Sequence, residues 1–169
     1  MDYLNRVIEF HKSIGYTGPD APSLPDPERS FMRIRLIREE LKELEEAIES
    51  GDISQVAKEL ADLKYVVFGG DIDFGFIGRV DQFTTLADEI FAEVHRSNMT
   101  KTLATMQEAE QEAARFREDG IICDVRQIGD RFAVIREDGK LLKPSFYESA
   151  DIDSVLKAAN ERWKLRMNS

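Results

Sequence analysis

Between Phe31 and Phe68 apolar and polar positions alternate with a helical period in two successive blocks. Ile34, Ile37, Leu41, Leu44 and Ile48 recur at spacings of three and four, and Ile53, Val56, Leu60, Leu63 and Val67 repeat the pattern. Such spacing predicts two amphipathic helices, each with one stripe facing a core. Between them stands Ser50-Gly51-Asp52. Gly51 suits the left-handed position that ends a helix, and Asp52 can cap the next one with Gln55 as its capping-box partner. A connection this short makes the helices antiparallel neighbours. Asp26-Pro27 predicts the start of the first, Asp26 as N-cap and Pro27 at the first helical position. The second is expected to end near Gly69-Gly70.

Around this pair the pattern is more varied. Residues 2–14 predict a short helix with Leu4, Val7, Ile8, His11 and Ile14 on one side, His11 as a satisfied, structural histidine. Residues 15–27 hold four of the five prolines and predict an extended connector. Residues 71–85 read as a loop with a short helix, and Leu86 to Lys101 as a helix with Ala87, Ile90, Phe91 and Val94 along one face. Glu93 and His95 are two apart there, share no face and make a poor metal pair, so His95 reads as structural. Residues 103–119 predict a surface helix of little apolar content. Two β-rich runs then flank Gly129-Asp130, a two-residue turn that predicts a β-hairpin. Cys123 lies on its Ile121/Cys123/Val125 face as a small buried hydrophobe. Lys140 and Lys143 precede Pro144, and a final helix is expected from about Asp151.

The acids follow the helical period too. At about 100° per residue, Glu40 falls to one side of the first stripe and Glu43 slightly further round. Glu59 and Asp62 hold the same positions in the second helix. Antiparallel helices are related by an approximate two-fold axis, so the two pairs converge on one face of the hairpin. Four converging carboxylates repel one another unless a cation neutralises them, and an all-oxygen donor set suits Mg²⁺ or Mn²⁺ over zinc. A solvated acidic face is the competing reading. Against it, Leu36, Ala47 and Val66 lie on the same side, so the acids occupy a partly apolar strip.

Composition bounds the rest. A chain of 169 residues, 42 % hydrophobic, can bury a real core. Its formal charge of −10 argues against a nucleic-acid polymer as partner. One cysteine excludes an internal disulfide. The N-terminus shows no signal-peptide pattern, and no apolar run reaches the roughly 20 residues of a membrane span. A cytoplasmic protein away from membranes is expected. Glycine-rich phosphate loops, CxxC pairs, HExxH and GxSxG are missing, which removes P-loop, zinc and serine-hydrolase readings.

Glu39-Glu40-Leu41-Lys42-Glu43 followed by Glu59-Leu60-Ala61-Asp62 resembles the EExxE…ExxD signature of the all-α nucleoside triphosphate pyrophosphohydrolases. That superfamily includes MazG-like proteins, phosphoribosyl-ATP pyrophosphohydrolase and the dimeric dUTPases. Phe10-His11 with the proline connector is similar to the family's N-terminal lead-in, Glu93 to Lys101 (EVHRSNMTK) to the segment after the acidic helices, and Asp138 to Pro144 (DGKLLKP) to its substrate-closing tail. The resemblance covers residues 1–101 and 138–157, and departs from the family where a helix and hairpin are inserted between Lys101 and Asp138.

It implies a mainly α protein, a MazG-like antiparallel helical bundle with a small inserted β-hairpin near the C-terminus. The corresponding domains are a catalytic core over 1–101, an insert over 102–137, and a tail and helix over 138–169 that pack back on the core. It also implies a nucleoside triphosphate cut between its α- and β-phosphates to the monophosphate and pyrophosphate. Glu40, Glu43, Glu59 and Asp62 would hold Mg²⁺, with Mn²⁺ able to substitute, and Glu39 would orient or deprotonate the attacking water. Asn98, Lys101 and Lys143 would grip phosphate or ribose. A homodimer or homotetramer would pair the hairpins. Two alternatives compete: phosphoribosyl-ATP as the substrate, and a non-catalytic helical interaction module. The insert and the EVHRSNMTK segment favour free (deoxy)nucleotides, with the base left open.

Overall fold

The computed structural model describes residues 3–78, 80 and 84–167. Its chain forms two compact units, Met1–Ala87 and Asp88–Ser169.

In the first unit, α1 (Tyr3–Ser13), α2 (Pro27–Ser50) and α3 (Ile53–Asp73) are helical. The expected cap residues Asp26, Gly51 and Asp52 are in place, without a Gln55 side-chain bond back to Asp52 among the described residues. Asp26 accepts from the Arg29 amide at 2.9 Å ahead of Pro27. Gly51 ends α2 with φ 73°, and Asp52 accepts from the Ser54 and Gln55 amides. This turn folds α3 back along α2, the main packing contact of the unit. α1 packs on α3 through Val7, with Tyr3 stacked on Phe68 and Phe10 edge-on to Tyr65. His11 is buried and satisfied, its Nδ1 2.8 Å from the Val7 carbonyl, as expected of a structural histidine. The proline connector forms no helix, and its Ser23 amide donates to Phe74.

The expectation for the hairpin's faces needs correcting. The stripe predicted to face a core is largely exposed in the single chain: Ile34, Leu41 and Ile48 on α2, Ile53, Leu60 and Val67 on α3. These six stand seven residues apart within each helix. Leu44 is buried, and Ile37, Val56 and Leu63 are half-buried. The buried residues of the hairpin are Arg33, Leu44 and Ala47 of α2 and Glu59, Gly69, Ile72 and Asp73 of α3, with Ile72 against Gly18 of the connector. Nor does α3 stop at Gly69-Gly70, because Gly69 faces Arg33 and a helical glycine is tolerated where a guanidinium crosses. Residues 71–73, expected in a loop, are therefore helical, and 74–77 form turns. The rest of that expectation falls partly on Arg79 and residues 81–83, which lie outside the described residues.

Asp73 anchors a buried ion cluster. Its two oxygens accept from Arg33 Nε at 2.7 Å and Arg29 Nε at 2.8 Å, while Arg33 Nη1 reaches the Val66 carbonyl at 3.1 Å. The Arg29 guanidinium lies over the Tyr16 ring at 3.8 Å. Asp73 is 0 % exposed and Arg33 4 %, so each charge depends on the other for its solvation.

In the second unit, α4 (Leu86–Met99, whose first two residues belong to the first unit), α5 (Met106–Glu118), β1 (Cys123–Ile128), β2 (Arg131–Arg136) and α6 (Ile152–Met167) follow in order. β1 and β2 pair antiparallel, Ile128 opposite Arg131, around the two-residue turn Gly129-Asp130. Gly129 has φ 62°, in the region that turn requires. α5 is not the apolar-poor surface helix expected. Its Ala109, Ala113 and Phe116 enter a core with Leu103, Cys123, Val134 and Leu142. Small residues carry the packing face, which a search for large apolar positions overlooks. Cys123 is buried there, its Sγ 3.7 Å from the Ala113 carbonyl, as expected of a small hydrophobe. Asp151 caps α6 through Ser154.

Candidate metal centre and phosphate-binding residues

The convergence of the acids follows from where α2 and α3 face each other. Glu40 is half-buried, Glu43 exposed and Glu59 buried at 6 % exposure. One carboxylate oxygen from each lies within 4.8 Å of the others. Glu43 and Glu59 also line a depression of about 350 Å³ that continues past Glu46, Ala47, Ser50 and Gln55. Asp62 stands outside this three-way group, half-buried one turn along α3. Glu39 is exposed on α2 and also outside it.

The electrostatics mark the group as short of positive charge. Burial pushes the Glu40 carboxyl above its usual range, and the charges of Glu43, Asp62 and Glu59 push it further, against a smaller opposing effect of Lys58. Lys58 Nζ lies 3.0 Å from both Glu59 oxygens and 2.9 Å from Asp62 Oδ2. Hydrogen bonds to Asp62 and Glu59 raise its own pKa. One ammonium thus serves two carboxylates, while Glu40 and Glu43 have no cation of their own among the described ion pairs. Three convergent carboxylates with a buried member fit a hard divalent cation.

The second unit brings Asn98, Lys101 and Lys143 together. Lys101 Nζ donates to Asn98 Oδ1 at 2.6 Å. Both ammonium groups lie over the Tyr147 ring, Lys143 at 4.4 Å and Lys101 at 5.9 Å. The Tyr147 hydroxyl is 2.9 Å from Ser97 Oγ, which donates to the Glu148 carbonyl. That bond, with the charges of Lys143 and Lys101, lowers the Tyr147 pKa against the effect of burial. Glu93 is engaged elsewhere: Arg96 and the Asp151 amide hold its carboxyl down at about 2. His95 is exposed on α4.

Lys58, Ser97 and Tyr147 are the neighbours that sequence reasoning missed. Lys58 had a signal, since it precedes Asp62 by four residues on one helix face. Tyr147 had none, because it sits in the turn after Pro144, where no period applies.

A helical hairpin with a carboxylate cluster between its arms defines the class of all-α nucleoside triphosphate pyrophosphohydrolases. The model of the phosphoribosyl-ATP pyrophosphohydrolase family matches residues 7–98, over half of the sequence, and the chain belongs to that family. The match holds all four expected metal-binding acids and Asn98 and ends before Lys101. A search of the curated proteins found no match.

Proposed function

We propose that the protein is a divalent-cation-dependent pyrophosphohydrolase of nucleoside triphosphates, releasing the monophosphate and pyrophosphate in control of the nucleotide pool. The observation that carries this is the convergence of Glu40, Glu43 and Glu59 within 4.8 Å in a chain of this family. These three, with Asp62, would hold Mg²⁺ or Mn²⁺. Such a cation neutralises phosphate charge and lowers the pKa of water bound to it. Glu39, exposed beside Glu40 in sequence, accepts the proton of the attacking water. Lys58, bonded to both Glu59 and Asp62, holds the two carboxylates in orientation, a positioning role. Asn98, Lys101 and Lys143 bind phosphate or ribose oxygens, the two lysines steadied over Tyr147.

No helix among the described residues is long and apolar enough to cross a membrane. The reading assigns the protein to the cytoplasm, where free nucleotides are. The exposed heptad-spaced residues of α2 and α3 support a homodimer or homotetramer in which hairpins pair. Light scattering on the native chain and on a Leu41→Arg/Leu60→Arg variant tests this, with a monomeric parent as the outcome against it.

The family description itself favours one second reading, in which the substrate is phosphoribosyl-ATP. A pyrophosphate-release assay with Mg²⁺ and with Mn²⁺, over the common NTPs, dNTPs and phosphoribosyl-ATP, separates the two. Glu59→Gln and Asp62→Asn should abolish turnover of whichever substrate is preferred. Failure to turn over any of them, with Mg²⁺ leaving the unfolding temperature unchanged, would sink the enzymatic reading.

A further inference from the structure

The second unit holds a cleft of about 550 Å³, a size that suits a small ligand. Its walls combine Met99 and Phe146, 48 % and 50 % exposed, with Thr102 and Arg131. Arg131 comes from β2 of the inserted hairpin. Its Nε donates to Thr102 Oγ1 and its Nη2 to the Thr102 carbonyl, both at 2.8 Å. These bonds fix the guanidinium plane and leave the donors on its Nη1 side without a hydrogen-bond partner among the described residues. Arg131 makes no ion pair among the described residues, unlike Arg96 in the same wall, which pairs with Glu93 and Glu148. Lys101 lies between cleft residues Thr100 and Thr102 in sequence, and Tyr147 between Phe146 and Glu148; neither Lys101 nor Lys143 pairs with a carboxylate among the described residues. In a chain of net charge −10, Lys101 and Lys143 share the Tyr147 ring next in sequence to cleft residues, and Arg131, whose charge also reaches Glu108, lies in the cleft wall.

We propose that this cleft takes the base of a nucleotide, with Arg131 of the insert reading the base edge and Phe146 and Met99 covering its face. The choice of a nucleotide as ligand rests on the pyrophosphohydrolase reading; the cleft chemistry does not. Exposed aromatic and thioether surface beside a fixed guanidinium suits a flat heteroaromatic ring. A guanidinium offers donors only, so the edge it faces is rich in acceptors. Guanine, with O6 and N7, meets that requirement, and so do the oxo-bearing pyrimidines. Adenine has no carbonyl oxygen and sets an amino donor beside its N7 acceptor. The insert thereby becomes a specificity element, and Lys101 and Lys143 supply charge for the phosphate.

The test is equilibrium binding of dGMP, dCMP, dUMP, dTMP and dAMP to the full chain, by titration calorimetry without added metal. Arg131→Ala, Arg131→Lys and Phe146→Ala are titrated in parallel. An oxo-bearing monophosphate should bind at least tenfold more tightly than dAMP. Arg131→Ala should lose about tenfold on that base and lose the preference. Arg131→Lys, which keeps the charge but not the planar fork, should bind with little preference. Phe146→Ala should weaken all bases alike. If Arg131→Ala fails the circular-dichroism check for folding, Arg131→Lys decides by the same criterion. Overturning outcomes are the absence of monophosphate binding, or a base preference that survives in the folded Arg131 variants. Triphosphate turnover is followed on the same preparations. Turnover with preference intact in the Arg131 variants sinks this proposal alone. Arg131-dependent, base-selective binding without turnover sinks the reaction and leaves the cleft.

Discussion

Gly69 and Gly70 are adjacent in α3, yet alanine at the two positions should move stability in opposite directions. A Cβ at Gly69 would stand 2.1 Å from Arg33 Nη1, 2.6 Å from Cζ and 2.8 Å from Nη2. Ordinary contact begins near 3.4 Å, so the guanidinium would have to retreat by more than an ångström. It has little room to do so. Arg33 is held by Asp73 Oδ2 at 2.7 Å and by the Val66 carbonyl at 3.1 Å, and a retreat of that size breaks both bonds. Breaking a buried ion pair costs about 3–5 kcal/mol, and alanine's better helix propensity returns about 1 kcal/mol. Gly69→Ala should therefore destabilise the protein by about 2–4 kcal/mol. At roughly 2–4 °C per kcal/mol for a chain of this size, Tm falls by about 5–15 °C. At Gly70 the nearest atom to an added Cβ is Arg33 Cγ at 3.8 Å, an ordinary contact. Only the propensity gain remains, and Gly70→Ala should raise Tm by about 2–4 °C. Thermal and urea unfolding followed by far-UV circular dichroism measures both. A Gly69→Ala protein as stable as the parent would refute the packing argument. Equal losses at both positions would show that α3 needs glycine for its backbone and that Arg33 is not the reason.

Three further outcomes follow from named contacts. Burial alone would raise the Asp73 pKa, but the hydrogen bonds and charges of Arg33 and Arg29 outweigh it and hold the carboxyl below the ordinary aspartate value of 3.8. A depressed carboxyl contributes stability that is present above 3.8 and is lost as pH falls through the lower folded value. Asp73→Asn should remove that acid-sensitive step while lowering stability at neutral pH by about 3–5 kcal/mol, read from acid titrations of both proteins. For the carboxylate cluster, a like-charge pair at the 4.8 Å upper bound on these separations repels by about 1–3 kcal/mol between a water-like and a protein-surface dielectric. Glu40→Gln should thus raise the Tm of the metal-free protein and remove the further rise that Mg²⁺ gives the parent; an unchanged Mg²⁺ response would count against the site. Cys123, 4 % exposed in the core of the second unit, should resist a thiol reagent until the protein unfolds, and rapid labelling under native conditions would contradict that burial.

What the sequence made legible was local: the caps at Asp26 and Asp52, the left-handed Gly51, the two-residue hairpin turn, and the pairing of α2 with α3. Each is set by residues within four positions of one another, so spacing suffices to find it. The three-carboxylate group was legible for the same reason, since two helical periods joined by a fixed turn place Glu40, Glu43 and Glu59 with few alternatives. Asp73 with Arg29 and Arg33 was not legible, because it stands forty or more positions from both partners and the chain offers no period that links them. The packing of α5 escaped because Ala109 and Ala113 carry it, and alanine is also the commonest choice for a solvated helix. Tyr147 escaped because its place beside Lys101 and Lys143 depends on a turn held by Ser97 and Glu148.

The error about the hairpin's faces has a physical reason that bears on function. An amphipathic pattern says that the apolar stripe will be covered, but not by what. In the single chain the buried residues of α2 and α3 are alanine, glycine, an ion pair and Glu59, with Leu44 and Ile72 as the large apolar ones. That interior is narrow enough to bring carboxylates from two helices within one cation's reach, and a wide seam of leucines would hold them apart. The large residues are displaced outward to Ile34, Leu41, Ile48, Ile53, Leu60 and Val67, where this chain alone does not cover them. The same geometry thus asks for two additions, a cation inside the hairpin and a second apolar surface outside it. If both are supplied, metal binding and subunit pairing stabilise different faces of the same two helices, and each should strengthen the other by holding α2 against α3. Dissociation measured by dilution with and without Mg²⁺ puts this to the test. Tighter assembly with the cation supports the coupling, and identical dissociation under both conditions would mean that the two faces act independently.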